Sequence, residues 1–175
     1  LAARQEPPVR AYKLMALVVS GTEMPKFVDL TNPGKHQKLQ VRISLHKMDL
    51  CTQRVDCRNG VCEWNELLES DDLMLPYDLS QCPAVFVYLC KGKEGKPICF
   101  KRFSAEELFN SGFERAIEWV SLGEDKSIDA LDDGEFPGSV MVRLGFGTAE
   151  DANAVRESYR QALARLKVRL PYQLR

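Results

Sequence analysis

The sequence predicts an all-β fold, an eight-stranded antiparallel β-sandwich followed by one C-terminal α-helix. Residues 38–46 alternate polar and apolar side chains without a break, which is typical of a strand with one buried and one solvated face. Residues 149–166 instead carry apolar side chains at helical spacing and contain no glycine or proline. The strand-forming segments between them are separated by turns rather than helices, which favours two packed antiparallel sheets.

Turn-forming residues divide the chain into the predicted elements. Residues 1–10 carry two prolines and no periodicity, which predicts a leader or linker. Asn59-Gly60 predicts a tight turn, because both residues adopt positive φ at low cost. Ser104, with Glu107 three residues later, predicts a capped helical turn. The eight predicted strands are residues 12–21, 39–46, 51–57, one strand within 61–75, 84–90, 98–103, 116–122 and 139–146.

Two of these strands carry a more detailed prediction. In residues 51–57, Arg54 and Asp56 are assigned to the polar face. Residues 84–90 are β-branched, aromatic and uncharged, which predicts a central strand buried on both faces.

The C-terminal helix is predicted to begin at Thr148, an N-cap with Asp151 at the capping-box position. Pro171 is predicted to stop it, so the sandwich covers residues 11–147, the helix 148–170, and residues 171–175 begin a linker or a further domain. We interpret the helix as a spacer packed on the sandwich, with membrane contact by its basic end as the alternative. Its predicted apolar stripe is Ala152, Val155, Tyr159, Ala162, Leu163 and Leu166.

The composition is that of an ordinary globular protein, with 175 residues, 45 % apolar and 28 % charged. The net charge of −1 argues against nucleic acid as a partner, so electrostatic binding must come from local clusters. The chain begins at Leu1 without a signal peptide, and we expect a cytoplasmic fragment of a longer protein. Six cysteines without a CxxC pair predict free thiols and no zinc site, with Cys90 and Cys99 as small buried hydrophobes.

The sequence offers little to support catalysis. His36 and His46 are the only histidines, one in a loop rich in proline and glycine and the other on a polar strand face. No nucleophile elbow, phosphate-binding loop or dinucleotide fingerprint occurs, so neither an enzyme nor a cofactor is predicted.

Three segments, in order, resemble a C2 domain of the ferlin family. Residues 12–25 (YKLMALVVSGTEMP) are similar to a C2 first strand and its turn, and Trp64-Asn65-Glu66 to the fourth strand, where the Trp packs at the end of the sandwich. Residues 81–89 (QCPAVFVYL) resemble the central strand of ferlin C2 domains. The segments WVSL and GEFPG, within residues 119–138, resemble the last part of the ferlin C2 pattern. The resemblance covers residues 11–146, and residues 170–175 are similar to the start of another C2 first strand.

This resemblance implies a C2 domain of a multi-C2 protein that docks on phospholipid membranes in vesicle trafficking, exocytosis and membrane fusion. It implies a peripheral, cytoplasmic domain whose partners include other domains of a tail-anchored parent chain. The alternative is a protein–protein interaction or structural module in a larger scaffold. Calcium-binding C2 domains carry about five aspartates on two loops, whereas here only Asp29 is a residual candidate and the later loop is rich in lysine. We therefore expect calcium-independent behaviour.

Two basic clusters are the candidate lipid-binding sites. One is the loop after the central strand and the other is the polar face of the second and third strands, and both suit phosphatidylserine or phosphoinositide head groups. The alternative for each is an ordinary solvated surface, which is also our interpretation of the acidic residues 124–135. Insertion of apolar side chains of the first loop into the membrane is a further possibility. The candidates are Lys91, Lys93 and Lys96 in the loop, Lys38, Arg42 and Arg54 on the strands, and Met24 and Phe27 in the first loop.

Overall fold

The computed structural model describes residues 5–25, 38–124 and 137–173, with side chains described as far as residue 168. Within these ranges the chain forms two five-stranded antiparallel sheets, and a long helix follows the last strand. The strands are β1 (Val9–Thr22), β2 (Leu39–Leu45), β3 (Met48–Cys51), β4 (Cys62–Glu69), β5 (Leu73–Pro76), β6 (Val85–Lys91), β7 (Lys96–Phe103), β8 (Glu118–Ser121), β9 (Gly123–Glu124) and β10 (Ser139–Thr148). The helices are α1 (Ala105–Ser111) and α2 (Ala149–Gln173), with a 3₁₀ turn at Leu79–Gln81.

The predicted antiparallel sandwich with a C-terminal helix is confirmed. The first sheet has the order β4-β1-β10-β8, with β5 paired to the beginning of β1, and the second has the order β3-β2-β6-β7-β9. The two short strands β5 and β9 raise the count above the eight predicted strands. Strand β1 starts at Val9, inside the predicted linker, because Val9 and Arg10 pair with Pro76 and Leu75 of β5.

The core lies between the sheets and follows the alternation of the sequence. Leu39, Val41, Ile43 and Leu45 of β2 are all buried, as their period of two predicts. Trp64 closes one end of this core, and its indole N–H donates to the Leu39 carbonyl at 3.4 Å. Full burial of each large aliphatic side chain contributes about 1.5–3 kcal/mol, so this shared interior holds the two sheets together.

The third strand, predicted at residues 51–57, instead lies at Met48–Cys51, because hydrogen bonds of Thr52 to Val41 interrupt the regular pairing after Cys51. The Thr52 N–H donates to the Val41 carbonyl at 3.0 Å, and the Thr52 hydroxyl accepts from the Val41 N–H at 3.0 Å. A side chain that satisfies a backbone donor in this way competes with the regular pairing of a strand. Residues 52–57 are therefore irregular, apart from a bridge between Val55 and Leu39.

The prediction that the central strand is buried on both faces is wrong. In β6, Val85, Val87 and Leu89 face the core, whereas Phe86 and Tyr88 on the opposite face are only half-buried. Strand β1, by contrast, has both faces covered. Its residues Leu14 and Ala16 lie in the core between the sheets, while Met15 and Leu17 pack in a second cluster with α2.

The helix α2 docks on the outer face of the first sheet. It begins as predicted, since the Thr148 hydroxyl accepts from the Asp151 N–H at 3.2 Å. Tyr159 is fully buried, and its hydroxyl donates to the Phe113 carbonyl at 3.2 Å. Gly145 leaves the space for these rings, because a Cβ there would lie 2.6 Å from the Phe113 ring. Every residue of the predicted apolar stripe is buried or packs against this cluster.

Pro171 does not end the helix, which continues to Gln173. A proline in a helix removes the hydrogen bond from its own nitrogen to the carbonyl four residues earlier. Pro171 lies in the last turn, so only this single bond is lost near a terminus, and the remaining turns are unaffected.

An ion pair also fastens α2 to the first sheet. The Arg156 guanidinium lies 2.6 Å from a Glu69 carboxylate oxygen, and Lys13 on β1 lies 3.5 Å from the same oxygen. The hydrogen bond from Arg156 is the main cause that lowers the pKa of Glu69, and the positive charge of Lys13 adds to it. This carboxylate therefore connects β4, β1 and α2.

We expect Tyr159→Ala to lower the free energy of unfolding by about 3–5 kcal/mol, because it leaves a cavity between α2 and the sheet. Ser158→Ala is the matched control, since Ser158 is the exposed neighbour on the same helix. Its effect should stay within about 0.5 kcal/mol. Urea unfolding of both variants measures this, and equal stabilities would mean that α2 does not contribute to the folded domain.

The Glu69 carboxylate should make stability depend on pH. Its lowered pKa means that the folded state binds fewer protons than the unfolded state, so its contribution is present above the unfolded pKa of about 4.3 and is lost as pH falls through the folded value. The melting temperature of wild type should therefore exceed that of Glu69→Gln at pH 6, with the difference shrinking toward pH 3. Glu63→Gln, an exposed carboxylate on the same strand, is the control and should show no comparable loss.

Candidate functional site

The lysine loop lies beside the beginning of β2. Strands β6 and β7 form a hairpin in which Lys91 pairs with Lys96. The Gly92 N–H donates to the Lys38 carbonyl at 3.1 Å, which holds this hairpin against the residue that precedes β2. The structure therefore places Lys38 and the lysine loop at the same end of the second sheet.

Two glycines shape the tip of this hairpin. Gly92 and Gly95 have φ of 73° and 63°, and the Gly95 N–H donates to the Gly92 carbonyl at 3.2 Å. Positive φ is favourable for glycine, so the turn can be tight. Lys93 and Glu94 are exposed at the tip, and Lys96 is exposed at the start of β7.

Arg42 connects the hairpin to the outer face of the second sheet. It pairs with Tyr88 across β2 and β6, and its guanidinium carbon lies 5.6 Å from the centre of the Tyr88 ring. One guanidinium nitrogen donates to the Gly95 carbonyl at 3.4 Å, a long hydrogen bond. An arginine has five N–H donors in total, so this bond occupies one of five.

Arg54 joins the same end of the sheet because the chain after β3 returns along β2. The Val55 and Leu39 backbones exchange two hydrogen bonds of 2.9 Å in antiparallel register, which places the exposed Arg54 opposite Gln40 and the exposed Asp56 opposite Lys38. Two strands, a hairpin and an irregular segment thus contribute cations to one region, which we call the basic end. The basic end consists of Lys38, Arg42, Arg54, Lys91, Lys93 and Lys96.

The proposed insertion of Met24 is not compatible with this structure. Met24 is only 4 % exposed and packs in the core between the sheets. Its N–H donates to the Gly60 carbonyl at 3.0 Å, and a Cβ on Gly21 would meet its methyl group at 2.6 Å. Phe27, the other candidate for insertion, lies outside the described residues.

The residual metal candidate Asp29 also lies outside the described residues, as do residues 125–135 of the acidic stretch. In the ranges 5–25, 38–124 and 137–173, no group of three or more His, Cys, Asp or Glu side chains could hold a metal ion. None of the helices in these ranges is both long and apolar enough to cross a membrane.

A half-buried aromatic patch, formed by Phe86, Tyr88 and Phe100, was missed by the sequence reasoning. Their ring centres lie 5.6 Å apart for Phe86 and Tyr88, 6.0 Å for Phe86 and Phe100, and 6.2 Å for Tyr88 and Phe100. Arg42 flanks the patch over Tyr88, and Arg102 pairs with Phe86 across the strands. In the sequence of β6, aromatic Phe86 and Tyr88 alternate with aliphatic residues, and this alternation could have indicated that the two faces of the strand have different environments.

Two buried thiols behave as expected from the sequence. Cys90 and Cys99 are fully buried, and burial raises the pKa of Cys90 to about 11 and that of Cys99 to about 12. Thiols of this kind stay protonated at neutral pH and are poor nucleophiles. They therefore act as small core residues.

Solved structures of C2 domains share this architecture. The C2A domain of plant extended synaptotagmin 1 matches with a TM-score of 0.53 and 17 % identity, covering 82 % of this chain and 98 % of that one. The fold is a C2-like β-sandwich. The calcium-bound C2A and C2B domains of extended synaptotagmin 2 match with a TM-score of 0.53 and 17 % identity, over 79 % of this chain and 46 % of that one.

A longer fragment of the second protein, with its SMP, C2A and C2B domains, matches with a TM-score of 0.54 and 9 % identity, over 78 % of this C2-like chain. The chain spans about a quarter of the length of that fragment, 28 %. No protein-family model matches the sequence, and no curated protein matches it.

Proposed function

We propose that this C2-like domain docks its parent protein onto anionic membranes through the basic end. The observation that carries the proposal is the convergence of six cationic side chains at one end of the second sheet, in a chain whose net charge is −1. The global charge provides no attraction to a membrane, so binding depends on this local concentration.

The chemistry of the basic end suits lipid phosphates. Each lysine or arginine near an anionic surface contributes about 1 kcal/mol, and three of them together about 3 kcal/mol, or roughly a hundredfold in partitioning. The exposed Lys93 and Lys96 provide mobile point charges. Arg42 provides a planar fork that can hold a phosphate with two hydrogen bonds. Phosphatidylserine and phosphoinositides are therefore the proposed lipids.

The wider role that we propose is that of a ferlin-like, multi-C2 protein in vesicle trafficking and membrane fusion. The motifs WNE, QCPAVFVYL and WVSL, in their order along the chain, support this role. The domain would be peripheral and cytoplasmic, would adjoin other domains of its chain, and would not be an enzyme.

We also propose that docking does not need calcium. Calcium requires six to eight oxygen ligands, most of them from carboxylates. The β6–β7 loop has Glu94 as its one carboxylate between Lys91 and Lys96, and the lysines would repel the ion. This loop is the second of the two loops that would have to supply the ligands.

The aromatic patch supports a second candidate function, a protein-interaction module. Aromatic and arginine side chains dominate the energetics of protein interfaces. Phe86, Tyr88 and Phe100 are grouped on one sheet face, with an arginine at each side. A partner protein that covers this face would bury the rings and engage Arg42 and Arg102.

We expect the protein to co-sediment with liposomes that contain phosphatidylserine or a phosphoinositide at low salt, and Lys93→Glu/Lys96→Glu to reduce the binding about tenfold or more. The matched control is Arg160→Glu/Arg165→Glu, which makes the same charge change on exposed positions of α2. The control should bind like wild type, because α2 covers the opposite sheet.

Salt distinguishes the alternatives in this experiment. Electrostatic binding should fade as the Debye length falls from about 10 Å at 0.1 M to about 3 Å at 1 M. Wild type that does not bind at low salt would contradict the membrane proposal and favour the protein-interaction module. Binding lost in the α2 variant, but kept in the loop variant, would assign the membrane contact to the helix instead.

We expect millimolar calcium to leave the melting temperature unchanged relative to chelator. A ligand that binds only the folded state adds about 2.7 kcal/mol at 100 times its dissociation constant, which would appear as a shift of several degrees. A calcium-dependent shift that Asp29→Asn abolishes would contradict the proposal.

A further inference from the structure

The turn between β3 and β4 is a two-residue hairpin. Arg58 and Val61 exchange both of their backbone hydrogen bonds, each 3.0 Å long. The loop residues Asn59 and Gly60 have φ of 54° and 75°, which is the type I′ turn that matches the twist of a hairpin. This confirms the turn predicted from Asn59-Gly60 and sets the register of the residues on each side.

This register places two cysteines opposite each other. Because Arg58 and Val61 form a hydrogen-bonded pair, the next pair outward, Cys57 and Cys62, is a non-hydrogen-bonded pair. Such pairs have Cα atoms about 4.5 Å apart and side chains on the same face, within the range of about 4.4–6.8 Å that disulfides span. Cys62 is buried in the core between the sheets and Cys57 packs against that core, which fits two side chains on the same face.

The two thiols differ in access to solvent. Cys62 is 1 % exposed and belongs to the core, whereas Cys57 is half-buried at its margin. Burial is the main cause that raises the pKa of the Cys62 thiol well above its ordinary value, and the neighbouring Cys57 thiol adds to it. An oxidant from solvent therefore meets Cys57 first, with Cys62 next to it as the second thiol.

We propose that Cys57 and Cys62 are a redox modification site that forms a reversible disulfide with a small-molecule disulfide such as oxidised glutathione. The Cys57 thiolate attacks one sulfur of that molecule, which forms a mixed disulfide and releases one glutathione thiolate. Cys62 then attacks the Cys57 sulfur and displaces the second glutathione, whose thiolate takes the Cys62 proton. Burial of Cys62 makes this second step the slow one, and it can occur because Cys57 holds the mixed disulfide next to Cys62. Two protein thiols are oxidised and one glutathione disulfide is reduced to two thiols.

The remaining described cysteines are less suited to this reaction. Cys51 and Cys90 lie on β3 and β6 with β2 between them, about 9.6 Å apart by strand spacing, beyond the reach of a disulfide. Cys99 is fully buried, and the Cys82 thiol donates to the Pro76 carbonyl at 3.4 Å. The hairpin pair alone among the described thiols combines opposed positions with access for the oxidant.

A disulfide here would constrain the segment between β3 and β4, which contains Arg54 of the basic end. The loop that the disulfide would close, residues 57–62, contains Gly60, whose carbonyl accepts from the Met24 N–H at 3.0 Å. This loop is therefore also bonded to the chain just after β1. In a reducing compartment such a bond is transient and serves as a sensor rather than a permanent cross-link. The proposal does not depend on membrane binding, because it concerns only the two thiols and their hairpin.

The test is to equilibrate the folded protein with oxidised glutathione, block free thiols with an alkylating reagent, and map tryptic peptides without reduction. Trypsin cuts after Arg54, Arg58 and Lys91, so the disulfide joins peptide 55–58 to peptide 59–91. We expect this joined species in wild type, its loss with dithiothreitol, and a rise in melting temperature of about 4–8 °C for the oxidised form.

Three variants assign the bond. Cys57→Ser and Cys62→Ala should each abolish the joined peptides, and the exposed-site control Cys51→Ser should retain them. Melts of the reduced variants verify that each is folded. Recovery of Cys57 and Cys62 from wild type as alkylated thiols, while Cys51 carries glutathione, would overturn the proposal.

Discussion

Burial of β1 on both faces is the constraint on which the rest of the structure depends. One face, which includes Leu14, packs against the second sheet, and the other, which includes Leu17, packs under α2. Because β1 pairs with β10 along one side and with β4 and β5 along the other, it fixes the positions of three further strands. The helix is thus a third layer of the domain rather than an appendage.

Covering one sheet leaves the other available for binding. The outer face of the second sheet presents Arg42 and the aromatic patch, while α2 occupies the equivalent face of the first sheet. Cationic side chains gather at one end of this face because the β6–β7 hairpin and the chain after β3 both return to the start of β2. The proposed binding surface therefore lies on the side of the sandwich that has no helix on it among the described residues.

Polar and apolar groups meet at one end of the sandwich. The basic end is polar and rests on backbone hydrogen bonds such as that between Gly92 and Lys38. Beneath it, the Trp64 indole donates to the carbonyl of Leu39, the residue after Lys38, and packs in the apolar core with Met24 and Cys62. The hairpin of Cys57 and Cys62 lies between a buried strand and an irregular segment, which explains how one thiol of the pair is sheltered and the other accessible.

Local patterns in the sequence determined the sandwich class, the alternation of β2, the caps at Ser104 and Thr148 and the apolar stripe of α2, because periodicity and capping depend on neighbouring residues. The basic residues of the site could likewise be named from the sequence, but their convergence could not. How deeply a side chain is buried depends on segments that are distant in sequence, as the burial of Met24 shows. Because α2 docks on only the first sheet, both faces of β1 are buried, whereas Phe86 and Tyr88 on the outer face of β6 are only half-buried. The strand predicted at residues 51–57 does not form, because Thr52 makes a hydrogen bond to Val41 that only the tertiary structure decides.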